Sequence, residues 1–137
     1  MAQNDDSDIK NGFNSLKDGS TNSTAIAAYY DDWAETYDAT LIDWDYQAPE
    51  DAAVALGEYL KSGDSILDVG CGTGMFASAL SRHLDCRIEG IDISAASLEI
   101  AEKHGQYDRL QRHDLQVTPL PAADNAFDAA ACVGVMT

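Results

Sequence analysis

The sequence predicts an α/β fold in which a parallel sheet is doubly wound by helices, with further helices ahead of the first strand. Three observations predict it. Short apolar runs bounded by Gly or Asp, notably Ser65 to Val69 and Arg87 to Ile91, alternate with stretches of helical periodicity, which is the order of a parallel sheet rather than of hairpins. The first run leads into Gly70, Gly72 and Gly74 at the mouth of the next helix. The second ends in Asp92, just before a residue suited to cap a helix, Ser94.

Taken in order, residues 1 to 23 are rich in Asn, Asp, Ser and Gly, carry no apolar periodicity, and read as a mobile polar tail. The domain therefore starts at residue 24 and runs to 137. Ile26, Tyr29, Tyr30, Trp33 and Tyr37 recur at helical steps, with Thr24 available as a cap. A second helix follows Pro49, puts Ala52, Ala53, Leu56, Tyr59 and Leu60 on one face, and ends at the Ser62-Gly63-Asp64 turn. After the strand at Ser65 to Val69 and the glycines, Met75 to Leu84 reads as a helix, with Met75 and Phe76 in the core. Arg87 to Ile91 is the second strand, and Ser94 caps a helix that runs through His104. A weaker strand at Arg109 to His113, a loop through Pro119 and Pro121, and a last strand at Phe127 to Val133 complete the order. If the last strand lies beside the first, it leaves an apolar edge of a kind that complete proteins avoid, so the sheet is expected to be truncated after its fourth strand.

Composition narrows the function. With 137 residues, 45% of them hydrophobic, the chain is long enough for one core and no more. It carries 24 acidic against 8 basic side chains, a formal charge of −16. That charge repels a phosphate backbone, so nucleic acid is not an expected partner. There is no apolar run long enough to span a bilayer and no basic, apolar leader, so a cytoplasmic chain without a membrane partner is expected. The acids are mostly Asp, 18 against 6 Glu. Self-repulsion of this order predicts that added salt raises the melting temperature, and a thermal scan over a salt series checks it. The three cysteines, Cys71, Cys86 and Cys132, show neither a disulfide framework nor metal-ligand spacing. Cys86 and Cys132 read as small buried residues, whereas Cys71 lies inside the glycine loop.

The chemistry concentrates in LDVGCGTG, Leu67 to Gly74. A strand entering a glycine loop lets a ligand lie against the backbone at a helix amino end, and many nucleotide-binding proteins use this device. The spacing is G-x-G-x-G, and Met75 stands where the dinucleotide fingerprint has its third glycine, which disfavours a nicotinamide dehydrogenase. Asp68, just before the loop, repels a pyrophosphate but suits a ligand bearing positive charge, such as the amino group and sulfonium of S-adenosylmethionine. Asp92, 18 residues past Gly74, can accept from both hydroxyls of a ribose. Asp114 in RHDL is placed to accept from an exocyclic adenine amine. The plainer readings are a tight turn for the glycines, helix capping for the aspartates, and core packing for Tyr29, Trp33 and Tyr37.

LDVGCGTG, GIDIS, HDL and FDAAACVGV, in that order over residues 65 to 137, resemble motifs of the class I S-adenosylmethionine-dependent methyltransferases, which have a Rossmann-like sheet. Upstream, YYDDWAETYD followed by YQAPEDAAVAL resembles more narrowly the methyltransferase-like proteins related to the Williams-Beuren region protein. The resemblance implies that Gly70 and Gly72, in the loop with Cys71 and Gly74, contact the cofactor's methionine part, while Asp68 helps to hold its amino group. It implies that Asp92 binds the ribose and Ile93 flanks the adenine. Asp114 and the backbone amide of Leu115 would meet the adenine edge. Tyr29 and Tyr37 would close over the methionine end, and Cys132 would approach the point of methyl transfer. The implied function is transfer of a methyl group to a small-molecule acceptor, with S-adenosylhomocysteine as product. The alternative is a module that holds the cofactor without catalysis. No general base, metal site or oligomeric state is read from the sequence.

Overall fold

Residues 22 to 43 and 45 to 134 are described by a computed structural model. Helix α1 (Ser23–Asp43) and helix α2 (Ala48–Gly57) precede strand β1 (Ser65–Val69). Helix α3 (Met75–Ser81), strand β2 (Arg87–Asp92), helix α4 (Ala95–His104), strand β3 (Arg109–Arg112) and strand β4 (Ala129–Ala131) follow. The strands form one parallel sheet in the order β3-β2-β1-β4. The chain steps outward from β1 to β2 to β3 and then returns to the far side of β1. This reversal is the switch point of a doubly wound sheet, and the crevice beyond the carboxyl end of β1 is where such sheets bind ligands.

The core explains why β1 sits at the centre. Ile66 and Leu67 are buried, and so is Asp68, which is 1% exposed. A strand covered on both faces reads as a continuous apolar run, and here it is broken only by that carboxylate. Phe76, Ala77 and Leu80 of α3 pack with Ile66 and Ile88 to fill the space beneath the glycine loop. Helix α2 runs along α3, and α1 runs along α4. Glu50 near the start of α2 binds Arg82 and His83 past the end of α3, an exposed tie that adds little to stability.

Several boundaries differ from those expected. The cap of α1 is Asn22, whose Oδ1 accepts from the Ala25 amide at 3.1 Å, so the helix begins one residue before Thr24. Residues 1 to 21 of the expected polar tail lie outside the described residues. Helix α2 stops at Gly57 although Tyr59 and Leu60 continue its apolar spacing, and Tyr59 is left 82% exposed. There the Lys61 amide bonds the Asp64 carboxylate at 2.9 Å, so a local side-chain turn replaces the next helical turn. Beyond Ser81, the chain completes α3 with isolated turns in which His83 and Leu84 both bond to Leu80. Strand β3 ends one residue before His113, whose amide bonds instead to the Asp92 carbonyl at 2.9 Å. Strand β4 has three residues, because only Ala129 to Ala131 pair with β1. Asp128, ahead of it, clamps the Ser65 amide through its side chain at 2.8 Å. Cys132 is exposed rather than buried, since it lies past the paired part of β4, and Cys86 is half-buried. Met75, expected in the core, is half-buried and lines the crevice above the loop, while Phe76 is buried.

Candidate functional site

The loop after β1 takes its shape from three left-handed residues, Gly70, Gly72 and Gly74, with φ of 68°, 56° and 95°. A side chain at any of them would be strained. The position a Cβ would take on Gly72 has no heavy atom within 4 Å, so the backbone there is open to a ligand. Two backbone bonds hold the loop, from the Cys71 amide to the Ile91 carbonyl at 3.0 Å and from the Gly74 amide to the Cys71 carbonyl at 3.1 Å.

Two carboxylates flank this loop, and burial raises the pKa of each. Asp92 bridges loop and helix: Oδ2 accepts from the Gly72 amide at 2.9 Å and Oδ1 from the Ser94 amide at 2.8 Å. Each oxygen has a further lone pair. Desolvation moves Asp92 above the ordinary carboxylate range, opposed by those amide bonds. Asp68 accepts from the Tyr107 hydroxyl at 2.6 Å. Its pKa is pushed up to about 7, chiefly by burial, with the Tyr107 bond pulling down and the charge of Asp92 pushing up. A buried acid in this state is poorly compensated until a cation arrives.

Helix α1 forms the roof through two aspartates two helical turns apart. Asp31 Oδ1 accepts from the Ser94 hydroxyl at 2.5 Å and from the Ala96 amide at 3.1 Å, at the start of α4. Asp38 accepts from the hydroxyl of Thr73, a buried residue of the glycine loop. Along the same helix, Trp33 lies edge-on to Tyr37, with ring centroids 4.5 Å apart, and stacks on Tyr30 at 6.3 Å. The hydroxyls of Tyr30 and Tyr37 titrate above their ordinary value, first because they are buried; the charge of Asp92 and the neighbouring Tyr46 also contribute to both. These two rings therefore stand near Asp92. Tyr29 sits elsewhere in the aromatic cluster, 6% exposed, and burial raises its hydroxyl pKa to about 12.

The space above the sheet edge is divided. At the glycine loop there is a cavity of about 30 Å³, lined by Tyr37, Tyr46, Asp68, Gly70, Gly72 and Val133 among others. Beside it, past Asp31, lies a cleft of about 530 Å³ lined by Ile93, His113, Asp114, Val117 and the first turns of α1. Asp92, which ends β2, lines neither space.

A model of the methyltransferase domain matches residues 66–137, more than half of the chain. The chain belongs to this methyltransferase family. Methyltransferase-like protein 27 of Homo sapiens is 37% identical over 112 residues, covering 80% of this chain and 46% of that protein. The 2-phytyl-1,4-naphtoquinone methyltransferase of Trichormus variabilis is 35% identical over 123 residues, covering 77% of this chain and 49% of its own. The chain thus spans about half the length of the curated relatives it matches. In fold it is similar to a TehB-like S-adenosylmethionine-dependent methyltransferase from Corynebacterium glutamicum, with a TM-score of 0.61 and 23% identity over 78% of this chain and 55% of that one. It is therefore a class I methyltransferase domain, a family whose methyl donor is S-adenosylmethionine.

Within this methyltransferase domain, some of the predicted residues line one or other of the two spaces. Asp68, Gly70, Cys71, Gly72 and Tyr37 line the small cavity, and Ile93 and Asp114 line the open cleft. Leu115 is half-buried next to Asp114. Asp114 accepts from the Gln116 amide at 2.9 Å. The Ser23 hydroxyl and that amide hold its pKa below the ordinary range. Gly74 lies under the loop as the cap of α3. Tyr29 lines neither space, and Val133, not the exposed Cys132, reaches the small cavity. Sequence reasoning missed Tyr46, Tyr107 and the pair Asp31 and Asp38. The two aspartates carried a signal, acids at a two-turn interval beside the apolar row Ala27, Ala34 and Leu41. Tyr46 and Tyr107 lie in loops, where periodicity is silent.

Proposed function

We propose that this chain forms the cofactor-holding part of a methyltransferase that methylates a small-molecule acceptor. The carrying observation is Asp68, a buried carboxylate at the switch point of the sheet, next to a backbone that is open at Gly72. Charge decides the ligand end: a buried acid beside an open glycine loop suits an ammonium group and disfavours a phosphate. The free lone pairs of Asp92 suit a ribose diol, while Ile93 and Asp114 in the larger cleft suit an adenine face and its amine. Tyr37 and Tyr46 close the methionine end in place of Tyr29. In this reading Asp31 and Asp38 fix α1 over both parts.

S-adenosylmethionine supplies an activated methyl group on a sulfonium. The chain's own contribution is alignment and exclusion of water, worth several kcal/mol when an acceptor is held in line. A small-molecule acceptor is supported by the Trichormus variabilis relative, a 2-phytyl-1,4-naphtoquinone methyltransferase. Calorimetric titration with S-adenosylmethionine and S-adenosylhomocysteine, with NAD as control, tests the cofactor half; sulfur ligands binding near micromolar with no NAD signal is the expected outcome. Labelled methyl transfer to a panel of small phenols, amines and thiols tests the acceptor half. Binding without transfer to any of them would favour a non-catalytic module.

A further inference from the structure

Tyr107 has no role in the reading so far, yet two glycines are shaped around it. A Cβ on Gly90, in the middle of β2, would fall 2.8 Å from Tyr107 Cε1, and also 2.8 Å from Cys71 Sγ. A Cβ on Gly74 would fall 3.1 Å from Tyr107 Cε2. Gly90 does not have a positive φ, so no turn demands it there; the ring does, together with Cys71 Sγ and Leu110 Cδ2 at 2.9 Å. The residue after Tyr107 is fixed to β2 by two bonds, from the Asp108 amide to the Ile88 carbonyl at 2.8 Å and from the Ile88 amide to the Asp108 carboxylate at 3.1 Å. The ring is therefore held under the loop with its hydroxyl on Asp68 Oδ2 at 2.6 Å. Oδ1 has no hydrogen-bond donor among the described residues.

We propose that Tyr107 is a positioning residue for the amino-group subsite: by donating to Oδ2 it orients the Asp68 carboxylate so that Oδ1 receives a ligand's ammonium group. This rests on the proposed methyl-donor site and deepens it. The titratable groups around Asp68 are Cys71 from the loop, Asp92 from β2, Tyr107 ahead of β3, Cys132 beyond β4, and Tyr37 and Tyr46 on the roof. Of these, only Tyr107 donates a hydrogen bond to Asp68. The donated bond favours the ionised carboxylate, and the ammonium group needs that form.

The test uses Tyr107→Phe, which keeps the ring in its glycine seat and removes only the hydroxyl. Two ligands are titrated across pH 6 to 9: S-adenosylhomocysteine, which has the amino-acid end, and 5′-deoxy-5′-methylthioadenosine, which lacks it. The expected result is about a tenfold loss of S-adenosylhomocysteine affinity near neutral pH, with the rise of affinity with pH displaced to higher pH, and methylthioadenosine affinity unchanged. In an Asp68→Asn background the same change should have no further effect on either ligand, the signature of one residue acting through another. Equal losses for both ligands, or an unmoved pH profile, would overturn the role of Tyr107 while leaving the methyl-donor site standing. If Tyr107→Phe does not fold, replacing Tyr107 by 3-fluorotyrosine keeps the ring and strengthens the donated bond, and the rise of S-adenosylhomocysteine affinity should then move to lower pH; an unmoved profile overturns the role. Wild-type protein that is folded and binds neither ligand would instead overturn the site itself.

Discussion

The two spaces beyond the carboxyl ends of the strands are built on different principles. At the glycine end, Asp68, Thr73 and Cys71 are buried, every loop amide named above has a partner, and the open volume is only about 30 Å³. At the other end, Ile93 and Asp114 border an open cleft of about 530 Å³, and the nearby segment from Gln116 to Leu120 is exposed. The first end can discriminate by charge, because an uncompensated carboxylate in a low-dielectric setting gains most from a cation. The second can supply contact area and modest hydrogen bonds, screened by solvent. The comparison teaches that affinity and selectivity for the methyl donor should come mainly from the buried end.

The largest effect should follow from Asp68→Asn. Loss of the charge should weaken S-adenosylhomocysteine about a hundredfold, or about 2.7 kcal/mol, by calorimetry at pH 8. The same variant should be more stable than wild type at that pH. The folded-state pKa of Asp68 stands at about 7 against an ordinary 3.8, so the folded chain binds the proton more tightly than the unfolded one. Its contribution to stability is therefore present below pH 4 and lost as pH rises to about 7. Denaturant melts of the variant should show a smaller loss over that window, with a gain of about 1–3 kcal/mol at pH 8. Next in size, Asp92→Ala should cost about 1–3 kcal/mol of binding, and it should affect ligands with and without the amino-acid end alike, because it also strips the Gly72 and Ser94 amides of their acceptor.

A smaller change is expected at the roof. Asp38→Ala removes the acceptor for the buried Thr73 hydroxyl and should lower stability by about 1–2 kcal/mol in urea melts, without changing the pH profile of binding. The smallest belongs to the open end: Asp114→Asn should change ligand affinity by no more than about twofold, since the group is screened by solvent and already bonded to Gln116. A loss at Asp114 as large as that at Asp68 would erase the contrast between the ends.

How much of this was legible in the sequence follows the same division. Strands β1 and β2, the Ser94 cap and the far end of α4 at His104 lie where periodicity and capping chemistry place them, since short local signals decide them. The glycine loop and its two acids were legible because left-handed turns and strand-end carboxylates leave few other residue choices. Boundaries set by tertiary contact were not. Tyr59 and Leu60 extend the apolar face of α2, but the Lys61 to Asp64 turn ends it. Tyr30 and Tyr37, not Tyr29, approach Asp92, because which face of an aromatic-rich helix turns inward depends on Asp31 and Asp38 finding Ser94 and Thr73. Tyr107 left a trace only in Gly90, a glycine inside a strand, which signals close approach without saying of what.

The measurement that bears most directly on the buried end is the affinity of the wild-type chain for S-adenosylhomocysteine against methylthioadenosine at pH 8, by calorimetry on the same folded sample. The account predicts at least about a hundredfold preference for the ligand that carries the ammonium group, which is the reach of one desolvated charge-assisted hydrogen bond. Equal affinity for the two would contradict it, and would move the source of binding from Asp68 to the open cleft at Ile93 and Asp114.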